Sequence, residues 1–158
     1  MDRGQLIKTF SATLQASLHG LQELEALLQQ EQTALSGRDP DLLNQVVQDK
    51  LALLKQLAPS VQARDRMQKT AGLEAGLEGG ERLVEMLGDP ALDRDWTELA
   101  RLAKIVADLN DRNAQLAMQG QRATRTALGI LTGRAAMDDT YSGLRRKGAA
   151  ASYSLGKV

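Results

Sequence analysis

The chain has 158 residues, with 20 Lys and Arg against 20 Asp and Glu and a formal net charge of zero. It is long enough to bury a sizeable core as one domain, and its charge balance gives no general attraction to nucleic acid or an anionic membrane. With no cysteine, disulfide frameworks and thiolate zinc sites are excluded.

Leu, Ala, Gln and Glu dominate and aromatics are sparse, which favours helices over strands. No apolar run approaches the ~20 residues of a membrane span, and the opening MDRGQLIKTF lacks the apolar centre of a signal peptide. A soluble, cytoplasmic, all-α protein is expected.

Residues 2–36 read as one long helix. Ile7, Phe10, Leu14, Ser17, Leu21, Leu24, Leu28, Glu31 and Leu35 alternate in steps of three and four, and Leu6, Leu18 and Leu27 widen the stripe toward two partners. Gly37 is expected in the left-handed position that ends it. Asp39-Pro40 then starts a second helix, with Asp as N-cap and Pro at the first helical position. The short link makes an antiparallel hairpin. Leu43, Val47, Leu54, Leu57 and Val61 mark the second helix. Lys50 and Arg64 fall in its seam, with stems packed inside and charged heads at the edge, and Lys50 is expected level with Glu25. Pro59 is expected to bend or break this helix near Lys55.

Residues 72–95 are weak in pattern, since Gly72, Gly76, Gly79 and Gly80 favour loop. A short helix is expected over 81–87, stopped by Gly88, with Asp89-Pro90 as a turn and Asp93 or Asp95 as the next cap. The third long helix, 96–133, begins with Trp96 as an apolar plug of the bundle end. Leu99, Leu102, Val106, Leu109, Asn113, Leu116, Gly120, Ala123, Ala127 and Ile130 continue the heptad rhythm. The first half carries large apolar residues, each worth ~1.5–3 kcal/mol when buried. The second half offers small ones, with Leu116, Met118, Leu128, Ile130 and Leu131 left as large side chains for another helix. The fold expected is therefore an elongated three-helix bundle or coiled coil, a long antiparallel hairpin plus a third long helix, over residues 1–133. A flexible tail follows over 134–158, carrying Tyr141 and Tyr153 in a near repeat.

No catalytic, cofactor or metal pattern emerges. His19 is the only histidine. Asp108-Leu109-Asn110-Asp111-Arg112-Asn113 lacks the Gly and the twelfth-position acid of a calcium loop, which fall on Asn113 and Gln119. Gly129 and Gly133 have no following Lys for a phosphate loop. A binding protein without enzymatic activity is expected. Asn113, polar in an apolar seam, either fixes the register of the chain's own bundle or contacts an incoming helix.

The hairpin carries Leu28, Glu31, Leu35, Asp41, Leu42, Lys50, Leu53, Leu54 and Leu57. The long helix carries Asn110, Asn113, Leu116, Arg122, Ala127, Leu128, Leu131 and Gly133, and a Tyr-x-Gly follows at Tyr141 and Gly143. In this order, over about residues 21–143, they resemble the FlgN family of flagellar export chaperones. Pro59, the glycines of 72–80 and the extended tail depart from the pattern.

The resemblance implies a cytoplasmic chaperone in type III protein export. Its partners would be the C-terminal helical region of the hook-associated proteins FlgK and FlgL, held unassembled and delivered to the export gate protein FlhA. The family's substrate-binding segment falls on Asn113, Leu116, Gly120, Arg122, Ala123, Ala127, Leu128, Ile130 and Leu131, and its gate contact on Tyr141 and Gly143. The matching mechanism is helix-in-groove recognition, with close backbone approach at Gly120 and Ala123 and with Arg122 and Arg125 at the rim. A monomer is expected when free. The alternative is a structural homodimeric coiled coil with no export role, in which the same seam is a self-interface.

Overall fold

The computed structural model describes the backbone of residues 2–132, and side chains up to Arg122 together with Thr126. Tyr141, Gly143, Tyr153 and the tail expected over 134–158 lie outside the described residues. Four helices form: α1 (Arg3–Gly37), α2 (Pro40–Thr70), α3 (Leu77–Leu87) and α4 (Pro90–Thr132). Among the described residues there is no strand, so the all-α expectation holds, as do the long hairpin and the further long helix. The chain divides into two compact units, Met1–Leu116 and the residues from Ala117 onward.

Each helix start has a chemical cause. Asp2 caps α1, its side chain accepting from the Gln5 N–H at 2.8 Å. Asp39 caps α2 by accepting from the Leu42 N–H at 3.1 Å, with Pro40 in the first helical position, as its sequence indicates. The left-handed residue between them is Arg38 (φ 52°), not Gly37, which stays helical. The Asp39 N–H bonds back to the Ala34 carbonyl at 3.0 Å, which closes α1 immediately before the Asp39 cap and leaves Arg38 as the linking residue.

Three further expectations need correction. Helix α2 is uninterrupted across Pro59, so the break expected near Lys55 does not occur. Pro59 and Lys55 both lie on the exposed face, where water can satisfy the Lys55 carbonyl that loses its donor. The Asp89-Pro90 pair is not a plain turn. Asp89 Oδ1 accepts from the Ala91 and Leu92 N–H groups at 2.9 and 3.0 Å, so α4 starts there and Asp93 and Asp95 fall inside it. Finally, α3 begins at Leu77, earlier than the glycines suggest, and buries Gly79 and Gly80. Gly88 stops it as expected, with φ 57°.

In the first unit, α1 and α2 are antiparallel, with Gly20 facing Leu57 so closely that a Cβ there would meet Leu57 Cδ2 at 1.9 Å. Helix α4 runs parallel to α1, since Phe10 stacks on Trp96 and Leu28 meets Asn113. The larger apolar cluster joins Phe10, Leu14 and Leu18 of α1 to Leu83, Val84 and Leu87 of α3 and to Leu92, Trp96, Leu99 and Leu102 of α4. The smaller cluster holds Leu24, Leu28 and Leu53, with Leu27, Leu57, Val106 and Leu109 packed around it. At ~1.5–3 kcal/mol per buried large apolar side chain, the first cluster, with more buried residues, holds the larger share of the apolar burial. Trp96 plugs this core: its ring centroid lies 6.2 Å from that of Phe10, and it is 6% exposed.

Candidate partner-binding site

The expected binding segment begins at Asn113, and here the structure separates two environments. Asn113 is 3% exposed. Its Nδ2 donates to the Leu28 carbonyl at 2.8 Å and to Glu31 Oε2 at 2.9 Å. Glu31 Oε1 accepts from Lys50 Nζ at 2.8 Å. One buried carboxylate thus ties α1 to both α2 and α4, with a donor on each oxygen, the condition under which a buried charge is tolerated. Of the two roles open to Asn113 from sequence, the structure places it against the chain's own hairpin. Leu116, the last residue of the first unit, is half-buried.

Lys50 therefore pairs with Glu31 and not Glu25. With Gly20 facing Leu57, Lys50 is level with Leu27. Glu31 lies one turn further along, about 6 Å, a distance the lysine stem spans. The Arg101 guanidinium pKa is raised first by the hydrogen bond to Glu98 and least by the charge of Glu25.

Within the second unit, α4 continues to Thr132. Met118 is 54% exposed, and Gln119, Gly120, Gln121, Arg122 and Thr126 are exposed as well. The side chains of Ala123, Arg125, Ala127, Leu128, Ile130 and Leu131 are not among those described, although all six positions are helical. This stretch offers a protruding thioether, adaptable in shape, beside an arginine and two glutamines.

A second polar cluster went unread in the sequence. Arg64 does not place its head at the edge of the bundle. It is 7% exposed, and its guanidinium carbon lies 5.7 Å from the Trp96 ring centroid, a cation–π arrangement. Burial lowers its pKa, opposed by Asp65, whose carboxylate is 3.7 Å away. Asp65 also accepts from the Gly76 N–H at 3.2 Å, and fully buried Gln68 donates to the Gly76 carbonyl at 3.2 Å. These side chains hold the connection from α2 to α3 against Trp96. The i, i+4 spacing of Arg64 and Gln68 on the core face of α2 was the available signal. Among the described residues, no group of three or more His, Cys, Asp or Glu is placed to hold a metal ion, and no helix is long and apolar enough to cross a membrane.

The model of the family described as FlgN protein matches residues 1–146. The chain belongs to the FlgN family. Membership puts it among proteins of flagellar biogenesis, in a family of export chaperones. A crystal structure of a flagella synthesis protein FlgN from Pseudomonas aeruginosa is similar, with a TM-score of 0.58 and 24% identity over 78% of this chain and 94% of that one. At that identity the likeness speaks for the FlgN fold. No curated protein matches.

Proposed function

We propose that the protein is a cytoplasmic flagellar export chaperone whose substrate-binding surface is the part of α4 beyond Leu116. The FlgN match over residues 1–146 carries this reading. It is supported by a helix that continues to Thr132 with Met118, Gly120 and Arg122 exposed. The substrates are the C-terminal helical regions of FlgK and FlgL, laid as amphipathic helices along Gly120, Ala123, Ala127 and Ile130, with Leu128 and Leu131 as apolar contacts. Met118 anchors the contact, while Arg122 at its rim orients the approach and affects on-rate more than affinity. Covering the substrate helices prevents premature assembly without any chemistry. Tyr141 and Gly143 form the contact to the export gate protein FlhA.

Calorimetry with the C-terminal helical segments of FlgK and FlgL tests this reading. One-to-one binding is expected, lost in Met118→Glu and slowed in Arg122→Glu, with the Tm of both variants unchanged because both side chains are exposed. Absence of binding to either segment, with a stable homodimer on a sizing column, would overturn it in favour of a structural coiled coil.

A further inference from the structure

Helix α2 carries two apolar faces. The buried one holds Val46 and Leu53, with Arg64 and Gln68 further along. About a quarter-turn round the helix, at ~100° per residue, lie Leu43, Val47, Leu51, Leu54, Ala58 and Val61. By spacing, Leu43, Val47, Leu54 and Val61 belong to the hairpin seam. The bundle nevertheless leaves Leu43, Val47 and Val61 half-buried, Ala58 exposed, Leu54 45% exposed and Leu51 49% exposed. A single exposed leucine is ordinary. Six apolar residues in steps of three and four along one face are the stripe of a helix that meets another helix.

Two properties of this stripe indicate its occupant. Val47, Leu54 and Val61, seven residues apart, read the same from either end. An interface between identical chains related by a two-fold axis must be self-complementary in this way. The charges on its rim are ordered as well. Asp41 at the start of α2 and Arg66 near its end are exposed on the same side of the stripe. In a second α2 laid antiparallel and centred near Leu54, Asp41 of each copy falls level with Arg66 of the other. Laid parallel, like charges would meet. Lys55, on the same rim, falls opposite its own counterpart, a repulsion that salt screens at an exposed position.

We propose that the stripe of Val47, Leu51, Leu54, Ala58 and Val61 is a two-fold self-interface, on which a second copy of the chain lays its own α2 antiparallel. The stripe is about 27 Å long and one helix face wide, so it buries less than the ~800 Å² per partner of a standard interface. The dimer is therefore a weak one, which forms at micromolar concentrations and above and dissociates on dilution. It takes up no residue of α4 and does not rest on the chaperone reading.

Sedimentation velocity of the full chain from about 1 µM to about 1 mM spans the affinities such a contact can reach. The parent should pass from monomer to dimer and no further, because a two-fold contact closes on itself. Leu54→Glu and Leu51→Glu should each stay monomeric throughout with Tm nearly unchanged, since both side chains are about half exposed. Asp41→Arg and Arg66→Asp should each weaken the dimer about 2- to 30-fold, and the two together should restore it. The chain order is read by cross-linking, since the protein has no cysteine of its own. Gln48 and Gln62 are exposed on the same rim. A mixture of Gln48→Cys and Gln62→Cys should cross-link between the two variants. Either variant alone should not, its cysteines being about 18 Å or more apart along the axis. A monomer at every concentration, a dimer indifferent to Leu54→Glu and Leu51→Glu, a charge exchange that restores nothing, or cross-linking of each variant with itself would overturn the proposal. All of this is read without substrate, so failure of FlgK and FlgL binding would strike the chaperone reading and leave the association result standing.

Discussion

Trp96 fills the space that a side chain at Gly80 would need. A Cβ built on Gly80 would lie 2.0 Å from the indole Cη2, 2.5 Å from Cζ2 and 2.6 Å from Gln68 Nε2. Gly80 is therefore a notch in α3 that admits the largest side chain of the core. Neither neighbour is free to move, since the indole is stacked on Phe10 and Gln68 is fully buried. Gly80→Ala should destabilise the fold by about 1–3 kcal/mol, lowering Tm by roughly 2–4 °C per kcal/mol. Trp96 is the only tryptophan, so its fluorescence should report the disturbance directly.

Gly20→Ala makes the contrasting case. The added methyl would meet Leu57 Cδ2 at 1.9 Å, a shorter distance than at Gly80. Leu57, however, is only half-buried and can turn toward solvent. Alanine in a helix also gains about 1 kcal/mol over glycine. The expected Tm change is under half that of Gly80→Ala, in either direction. A loss as large as at Gly80 would show that the hairpin cannot give way at Leu57.

Pro59→Ala should stabilise the protein. Helix α2 passes through Pro59 without a break, so the substitution restores the hydrogen bond to the Lys55 carbonyl and removes the ring clash, by up to ~3 kcal/mol. Denaturant unfolding checks this through a raised midpoint at unchanged slope.

Asp89→Ala should cost about 1 kcal/mol, the usual loss for an N-cap that accepts from the first turn. Asp93→Ala should leave Tm nearly unchanged, since Asp93 is an exposed residue inside α4. The reverse order would place the start of α4 one turn later than Pro90.

Much of this architecture is written in the spacing of the leucines, because a heptad stripe has few ways to be buried. What escaped were features decided by contacts across the fold. Asp39-Pro40 and Asp89-Pro90 are the same motif, yet the second reads as a turn because Asp93 and Asp95 follow as rival caps. Gly79 and Gly80 read as loop on propensity, while in α3 Gly80 serves the Trp96 contact, which tertiary packing alone reveals. Arg64 reads as a rim charge until an indole 5.7 Å away makes a buried position tolerable. The candidate site was legible only as a falling supply of large apolar residues along α4. Its two possible roles for Asn113 could be separated only by seeing Glu31 and Leu28 beside the amide. Beyond Arg122, small residues such as Ala123 and Ala127 fit a close helix contact and a bare surface equally well, and spacing does not distinguish the two.

Arg3 lies in the first turn of α1, and its Nη2 donates to the Leu87 carbonyl, 84 positions away, at the end of α3. That carbonyl borders the two-residue link from which α4 departs. A fusion tag or a short deletion at the amino terminus would thus act on the pivot of the long helix. Preparations differing only in their leading residues should differ in how firmly that corner exchanges its amide hydrogens.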